Sequence, residues 1–154
     1  MRWNQGRAEI AAMIAESELQ RVPASREHAD RLLAQAARHL VTARDIAVRD
    51  PEGAYALAYD GARKALAAVL ENQGLRATAR GGHLAVYRAA RAQLDPPLGT
   101  VLRPFDRMRR QRNSQEYPDF DAPALTAAHV LEDLDNAVAI VETAARTLDQ
   151  MSPF

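Results

Sequence analysis

The stretch Asp50-Pro51-Glu52-Gly53-Ala54-Tyr55-Ala56-Leu57-Ala58-Tyr59-Asp60-Gly61-Ala62-Arg63-Lys64-Ala65-Leu66-Ala67-Ala68-Val69-Leu70-Glu71-Asn72-Gln73-Gly74 carries its own start and stop signals. Asp50 suits an N-cap, Pro51 the first helical position, and Glu52 complements the positive end of the helix dipole. Gly74 suits the left-handed residue that ends a helix. Between them two apolar stripes run at helical spacing. One is Ala54, Leu57, Ala58, Gly61, Ala65, Ala68 and Val69; the other is Tyr55, Tyr59, Ala62 and Leu66. A helix apolar over so much of its circumference lies between neighbours rather than on a surface. Asp60, Arg63 and Lys64 form its polar side.

The neighbours follow outward. Ser25 caps a preceding helix over residues 26–49, whose stripe of Ala29, Leu32, Leu33, Ala36, Ala37, Leu40, Ala43 and Ala47 is rich in small residues and permits close approach. Before it, residues 6–19 read as a short first helix with Ile10, Met13 and Ile14 on one face. Trp3 either packs on the body or marks a contact surface. After Gly74 comes a loop containing Gly81-Gly82, then a helix from His83 to Leu94 with Leu84, Tyr87, Ala90 and Leu94 inward. His83 either caps that helix or joins a polar site with Arg76 and Arg80. A helix from about Thr100 carries Val101, Phe105, Met108 and Arg112 on one face, and a last helix runs from Pro123 to about Gln150. Its inward positions are Ala127, Leu131, Leu134, Val138, Val141, Ala145 and Leu148, and its exposed acids include Glu132, Asp133, Asp135 and Glu142. The expectation is all-α: a bundle of five to six helices with antiparallel up-down neighbours, forming one domain over residues 1–154. Residues 1–24 would be an N-terminal helix and arm, and residues 25–150 the core.

Composition narrows the chemistry. The chain has 154 residues, no cysteine, and 20 Lys+Arg against 20 Asp+Glu. Thiolate nucleophiles, thiolate metal sites and disulfides are excluded. A formally neutral chain exerts no global pull on nucleic acid or membrane, so any electrostatic site is local. No apolar run approaches the ~20 residues needed to span a bilayer, and the first residues lack a signal-peptide core. The expected location is cytoplasmic, with no membrane partner. Neither a phosphate loop nor a carboxylate–histidine metal pattern is present, so neither a metal nor a cofactor is expected.

The most concentrated local charge lies in Phe105-Asp106-Arg107-Met108-Arg109-Arg110-Gln111-Arg112-Asn113-Ser114-Gln115-Glu116-Tyr117-Pro118. Arg112 continues an apolar stripe, and an arginine there must find an anion or several acceptors. One reading is an i,i+4 pair with Glu116, worth a few tenths of a kcal/mol. The other is a polar site framed by Arg112 and Tyr117. Pro118 pushes Tyr117 out of helical geometry.

Arg112-Asn113, three residues, then Tyr117, late in a penultimate helix, resembles the signature of HEPN domains, the α-helical bundles of prokaryotic toxins, toxin–antitoxin pairs and other defence systems. The usual motif is Arg, often a polar residue such as Asn, then several residues and His; here Tyr117 stands in the histidine's place. The run Ala54 to Leu70 is similar to the family's second core helix, which often bears an acidic or polar residue facing the active arginine. Asp60 is that residue here, unless it only pairs with Lys64 on the surface.

The resemblance implies a metal-independent ribonuclease, usually a homodimer with a composite site. It acts by attack of a 2′-hydroxyl on the adjacent phosphate. Carried over, Arg112 is the phosphate clamp, Asn113 a positioning donor, and Tyr117 the histidine's substitute. Arg107, Arg109 and Arg110 would grip RNA phosphates, with Asp60, His83 and Glu116 in support. Tyrosine, with a reference pKa of about 10, is a poor base at pH 7; His83 is the replacement nominated. Two alternatives stand beside this one. The first is a non-catalytic HEPN module that binds RNA or a partner protein. The second is a HEPN toxin whose Tyr117 is nucleotidylated by a nucleotidyltransferase antitoxin.

Overall fold

The computed structural model describes residues 3–154. It is mostly helical, with a bundle of helices and one two-stranded sheet among the described residues. The central helix is α3 (Pro51–Gln73). The Asp50 side chain accepts from the Gly53 N–H at 3.0 Å, and Gly74 closes the other end with φ 81°. Both apolar stripes are used, and Tyr55, Ala58, Tyr59, Ala62, Ala65, Leu66, Val69 and Leu70 are all buried.

The preceding helix, α2 (Arg26–Ile46), is capped by the Ser25 side chain, which accepts from the His28 N–H at 3.1 Å. It folds back antiparallel on α3, as shown by the Ser25 N–H donating to the Glu71 carbonyl near one end and His39 facing Asp60 near the middle. The small residues make this approach close. A Cβ on Gly61 would stand 2.9 Å from Leu40 Cδ2 and 3.2 Å from the Ala36 carbonyl oxygen.

The last long helix, α7 (Ala127–Thr147), lies along α3 with contacts running from Tyr55–Asp133 to Asn72–Leu148. Thr126 caps it, so it starts after the expected Pro123. Its buried face is Val130, Asp133, Leu134, Ala137, Ile140, Thr143, Ala144, Thr147 and Leu148. Relative to the expected stripe the helix is rotated, and Ala145 is exposed. The cause is polar. Asp133, expected outside, is fully buried because its carboxylate is tied to Tyr55 on α3 and to Arg107.

Three other expectations change. The first helix, α1 (Arg7–Ala15), stops before Leu19. Ser17 adopts a left-handed φ of 63°, and the chain leaves as β1 (Leu19–Arg21). This strand pairs antiparallel with β2 (Leu75–Ala77) in the register Leu19↔Ala77, Gln20↔Arg76, Arg21↔Leu75. Leu19 and Leu75 are both buried, so the sheet anchors the arm to the end of α3. Strand pairing of this kind depends on distant partners and has no local periodic signal. In α4 (Gly82–Leu94) the buried residues are Ala85, Val86, Ala89, Ala90, Gln93 and Leu94, whereas Leu84 is exposed. The expected fifth helix is split at Pro104 into a short turn, α5 (Gly99–Leu102), and α6 (Pro104–Glu116). Trp3 packs against the core, and its backbone N–H donates to Ser152 Oγ at 2.7 Å. No helix among the described residues is long and apolar enough to cross a membrane.

Candidate functional site

Three helices converge around Phe105. Its ring lies 5.3 Å from Tyr59 of α3 and 5.7 Å from Tyr87 of α4, between centroids. This aromatic cluster is a hydrophobic joint between α3, α4 and α6. It leaves a cleft of about 240 Å³ at its edge, lined by Ala56, Leu57, Tyr59, Asp60, His83 and Arg112. The expected arginine, the expected acid and the nominated histidine therefore share one cleft, although they come from three separate elements.

His83 sits in the first turn of α4 and provides no side-chain cap there. Its Nδ1 is 2.8 Å from the Tyr59 hydroxyl. Burial pushes the Tyr59 phenol up to about 12, so it stays protonated at neutral pH. Among the described residues, His83 Nε2 has no hydrogen-bond or ion-pair partner. Partial burial, and then the guanidiniums of Arg63 and Arg112, hold the His83 imidazole below its ordinary value. It is therefore a neutral ring with one nitrogen engaged and one available. Arg76 and Arg80 are not its partners. Arg76 pairs bidentately with the buried Glu71 at 2.6 and 3.1 Å, and Arg80 is exposed.

Asp60 makes the surface pair and faces the cleft as well. It accepts from Arg63 at 2.6 Å and lies 3.0 Å from Lys64 Nζ and 3.4 Å from His39 Nε2. Burial alone would raise its carboxyl, but the hydrogen bonds from Arg63 and Lys64 outweigh that and hold it below the ordinary carboxylate range. It is a fixed negative charge at neutral pH rather than a proton donor. Lys64 Nζ is also 2.7 Å from His39 Nε2. Burial and Lys64 both keep His39 low. Among the described residues no group of three His, Asp or Glu side chains is placed to hold a metal ion.

Arg112 is about one-third exposed and pairs with Glu116 at 2.6 Å, the i,i+4 contact expected of the helix. Its Nη1 is also 3.5 Å from Asn113 Oδ1, a marginal contact. Asn113 itself is exposed and does not line the cleft. Tyr117 is the C-cap of α6, with φ −128°, and is 81% exposed. It does not line the cleft either; Pro118 has turned it out of the helix.

The remaining arginines of α6 divide. Arg107 forms a bidentate pair with Asp133 at 2.6 and 2.9 Å, and is therefore part of the packing against α7. Arg109 is held by Asp106 of its own helix at 2.9 Å. Arg110 is largely exposed, with Asp106 at 3.5 Å. Only Arg110 is free to meet a ligand without giving up a close ion pair.

Two residues of this region escaped the sequence reading. In the sequence Tyr59 reads as part of an apolar stripe, although a buried tyrosine hydroxyl needs a partner and so announces a polar neighbour. Asp133 reads as one of the exposed acids of the last helix, since nothing local distinguishes it from Glu132 or Asp135. No protein-family model, curated protein or solved structure matches the chain.

Proposed function

We propose that this chain is a HEPN-type protein that cleaves RNA without a metal ion, as a toxin of a toxin–antitoxin or other defence system. One observation carries the reading: Arg112, the motif arginine, lines the same cleft as His83, the histidine nominated to replace the missing one. Arginine's planar fork suits phosphate oxygens and the charge that grows on them in the transition state. His83 takes the proton-transfer role that Tyr117 cannot fill. In the tautomer where Nδ1–H donates to the Tyr59 oxygen, Nε2 keeps its lone pair and acts as the base. The 2′-oxygen then bonds to phosphorus as the bond to the 5′-oxygen breaks. His83 receives the 2′ proton, and the departing 5′-oxygen takes one from water.

The test is cleavage of RNA by the purified chain in the presence of a chelator, with growth arrest on induced expression as its cellular counterpart. Arg112→Ala should lower cleavage about 100- to 1,000-fold, and His83→Ala about 100- to 10,000-fold. Tyr117→Phe should leave it within a few-fold. Arg112→Lys separates catalysis from mere binding: a binding module tolerates the retained charge, whereas a nuclease suffers from the lost fork. Equal cleavage by the wild-type chain and His83→Ala would remove His83 from the chemistry.

A composite site requires a second copy. The chain should therefore be a homodimer at micromolar concentration in analytical ultracentrifugation. A strictly monomeric mass would remove the composite-site model. The exposure of Tyr117 favours a second role for that residue, as the acceptor of a nucleotidyl group from an antitoxin. Incubation with such a nucleotidyltransferase should then add mass to the wild-type chain and not to Tyr117→Phe.

A further inference from the structure

A second cleft, of about 280 Å³, lies at the opposite end of α4 from His83. There Leu94 and the loop after it meet the last turns of α7 and the N-terminal arm. It shares no lining residue with the His83 cleft. Its hydrocarbon wall is Trp3, Leu94, Pro96, Pro97 and Leu98. Indole and proline rings are flat, so this wall suits a planar apolar body. Most of its polar groups are spent on the protein itself. The Gln93 amide is exchanged reciprocally with that of Gln73 at 2.6 and 2.9 Å. Gln5 donates to the Pro96 carbonyl at 2.6 Å, and the Thr147 hydroxyl to the Ala144 carbonyl at 2.9 Å. Arg146 differs from these. It is the one charged side chain among the residues that line the cleft, and it is exposed. Among the described residues no carboxylate lies within ion-pair distance of it, and its guanidinium makes a single long contact, to Thr143 Oγ1 at 3.4 Å. An arginine fork of five N–H donors therefore stands almost unused beside an apolar cleft.

We infer that this cleft binds a small aromatic monocarboxylate, a role independent of the ribonuclease reading. The ring lies against Trp3 and the prolines, and the carboxylate takes the fork of Arg146. Apolar walls with a few polar groups that fix orientation are the usual make-up of a small-molecule site. One guanidinium balances one negative charge, and the wall supplies no second cation for a phosphate dianion. A neutral ring would leave the guanidinium unmatched. The volume falls at the small end of the range for ligand sites, about 300–1,000 Å³, so it suits a single ring on a short arm rather than a nucleotide.

Trp3 is the chain's single tryptophan, so its emission reports on the cleft directly. The experiment titrates the full chain with 3-phenylpropionate, with its neutral isostere 3-phenylpropanamide, and with phenyl phosphate. Excitation at the red edge of indole absorption avoids the probes, and calorimetry alongside catches binding that leaves the emission unchanged. The acid should saturate with a Kd at or below about 1 mM. It should bind about 10-fold tighter than the amide, the lower end of what a hydrogen bond to a charged group contributes. Arg146→Gln, an exposed substitution whose folding is checked by melting, should bring the acid to the affinity of the amide and leave the amide unchanged. No saturable binding of the acid, equal affinities of acid and amide, tighter binding of the phosphate, or an acid advantage that survives Arg146→Gln would each overturn the site. Emission that shifts with protein concentration before any acid is added would place a second copy in the cleft, with the same consequence.

Discussion

His83 is the residue on which the functional reading turns, and its environment makes a pH prediction. Burial and the nearby Arg63 and Arg112 charges disfavour its imidazolium, so its proton leaves below the ordinary value of 6.5. A base is active when deprotonated. The cleavage rate should therefore rise with pH through a midpoint below 6.5 and level off above it. NMR titration of the ring should give the same midpoint, and Arg63→Gln should move it upward by removing one positive charge. A rate that keeps climbing from pH 7 to pH 9 would point to a different base. At this scale the sequence was partly legible. Arg112 and Asp60 were identifiable from spacing and resemblance, and His83 by elimination among four histidines. The Tyr59 contact, which orients His83, spans 24 positions of chain and leaves no mark in local spacing.

Among the elements, α6 is held to the bundle by a polar tie as well as by Phe105 and Met108. Asp133 of α7 accepts from Arg107 of α6, from the Tyr55 hydroxyl of α3 at 2.6 Å, and from Asn136 at 3.0 Å. Burial alone would raise the Asp133 carboxyl, but these three donors outweigh it and hold it below 3.8. A carboxyl depressed by folding stabilises the fold fully above its unfolded value, and that contribution is lost as pH falls through the lower folded value. Asp133→Asn should therefore destabilise the chain at pH 7 by about 1–3 kcal/mol, the cost of leaving buried partners mismatched. For a chain of this size the melting temperature falls by roughly 3–10 °C, and the deficit narrows as pH falls below 3.8. A melting curve unchanged at pH 7 would show that the tie contributes nothing. The same geometry explains why the cluster of arginines in α6 is a poor guide to free surface charge. Charge density is visible in a sequence, whereas the identity of each partner is not.

At the scale of the molecule, residues distant in the chain are brought together beside the sheet. The Phe154 N–H donates to the Gln73 carbonyl at 2.9 Å, and the guanidiniums of Arg7 and Arg21 stand 4.6 and 4.9 Å from the centre of its ring. Each cation–π contact at a partly exposed site is worth about 0.5–1 kcal/mol. Phe154→Ala should cost about 1–2 kcal/mol in chemical denaturation, by the same figure taken twice. An unchanged midpoint would show that neither cation contributes. The sequence by itself determined the all-α class, the bounds of the central helix and the small-residue seam on which α2 approaches it. Those features rest on caps, prolines and periodic apolar positions, all of which act within a few residues. Tertiary structure alone decided the rotation of α7, the pairing of Leu19–Arg21 with Leu75–Ala77, the engagement of the half-exposed Arg107 by the buried Asp133, and the meeting of His83 with Tyr59 and Arg112. Each of these depends on which distant group satisfies a polar side chain or a strand edge, and that is settled only when the helices pack.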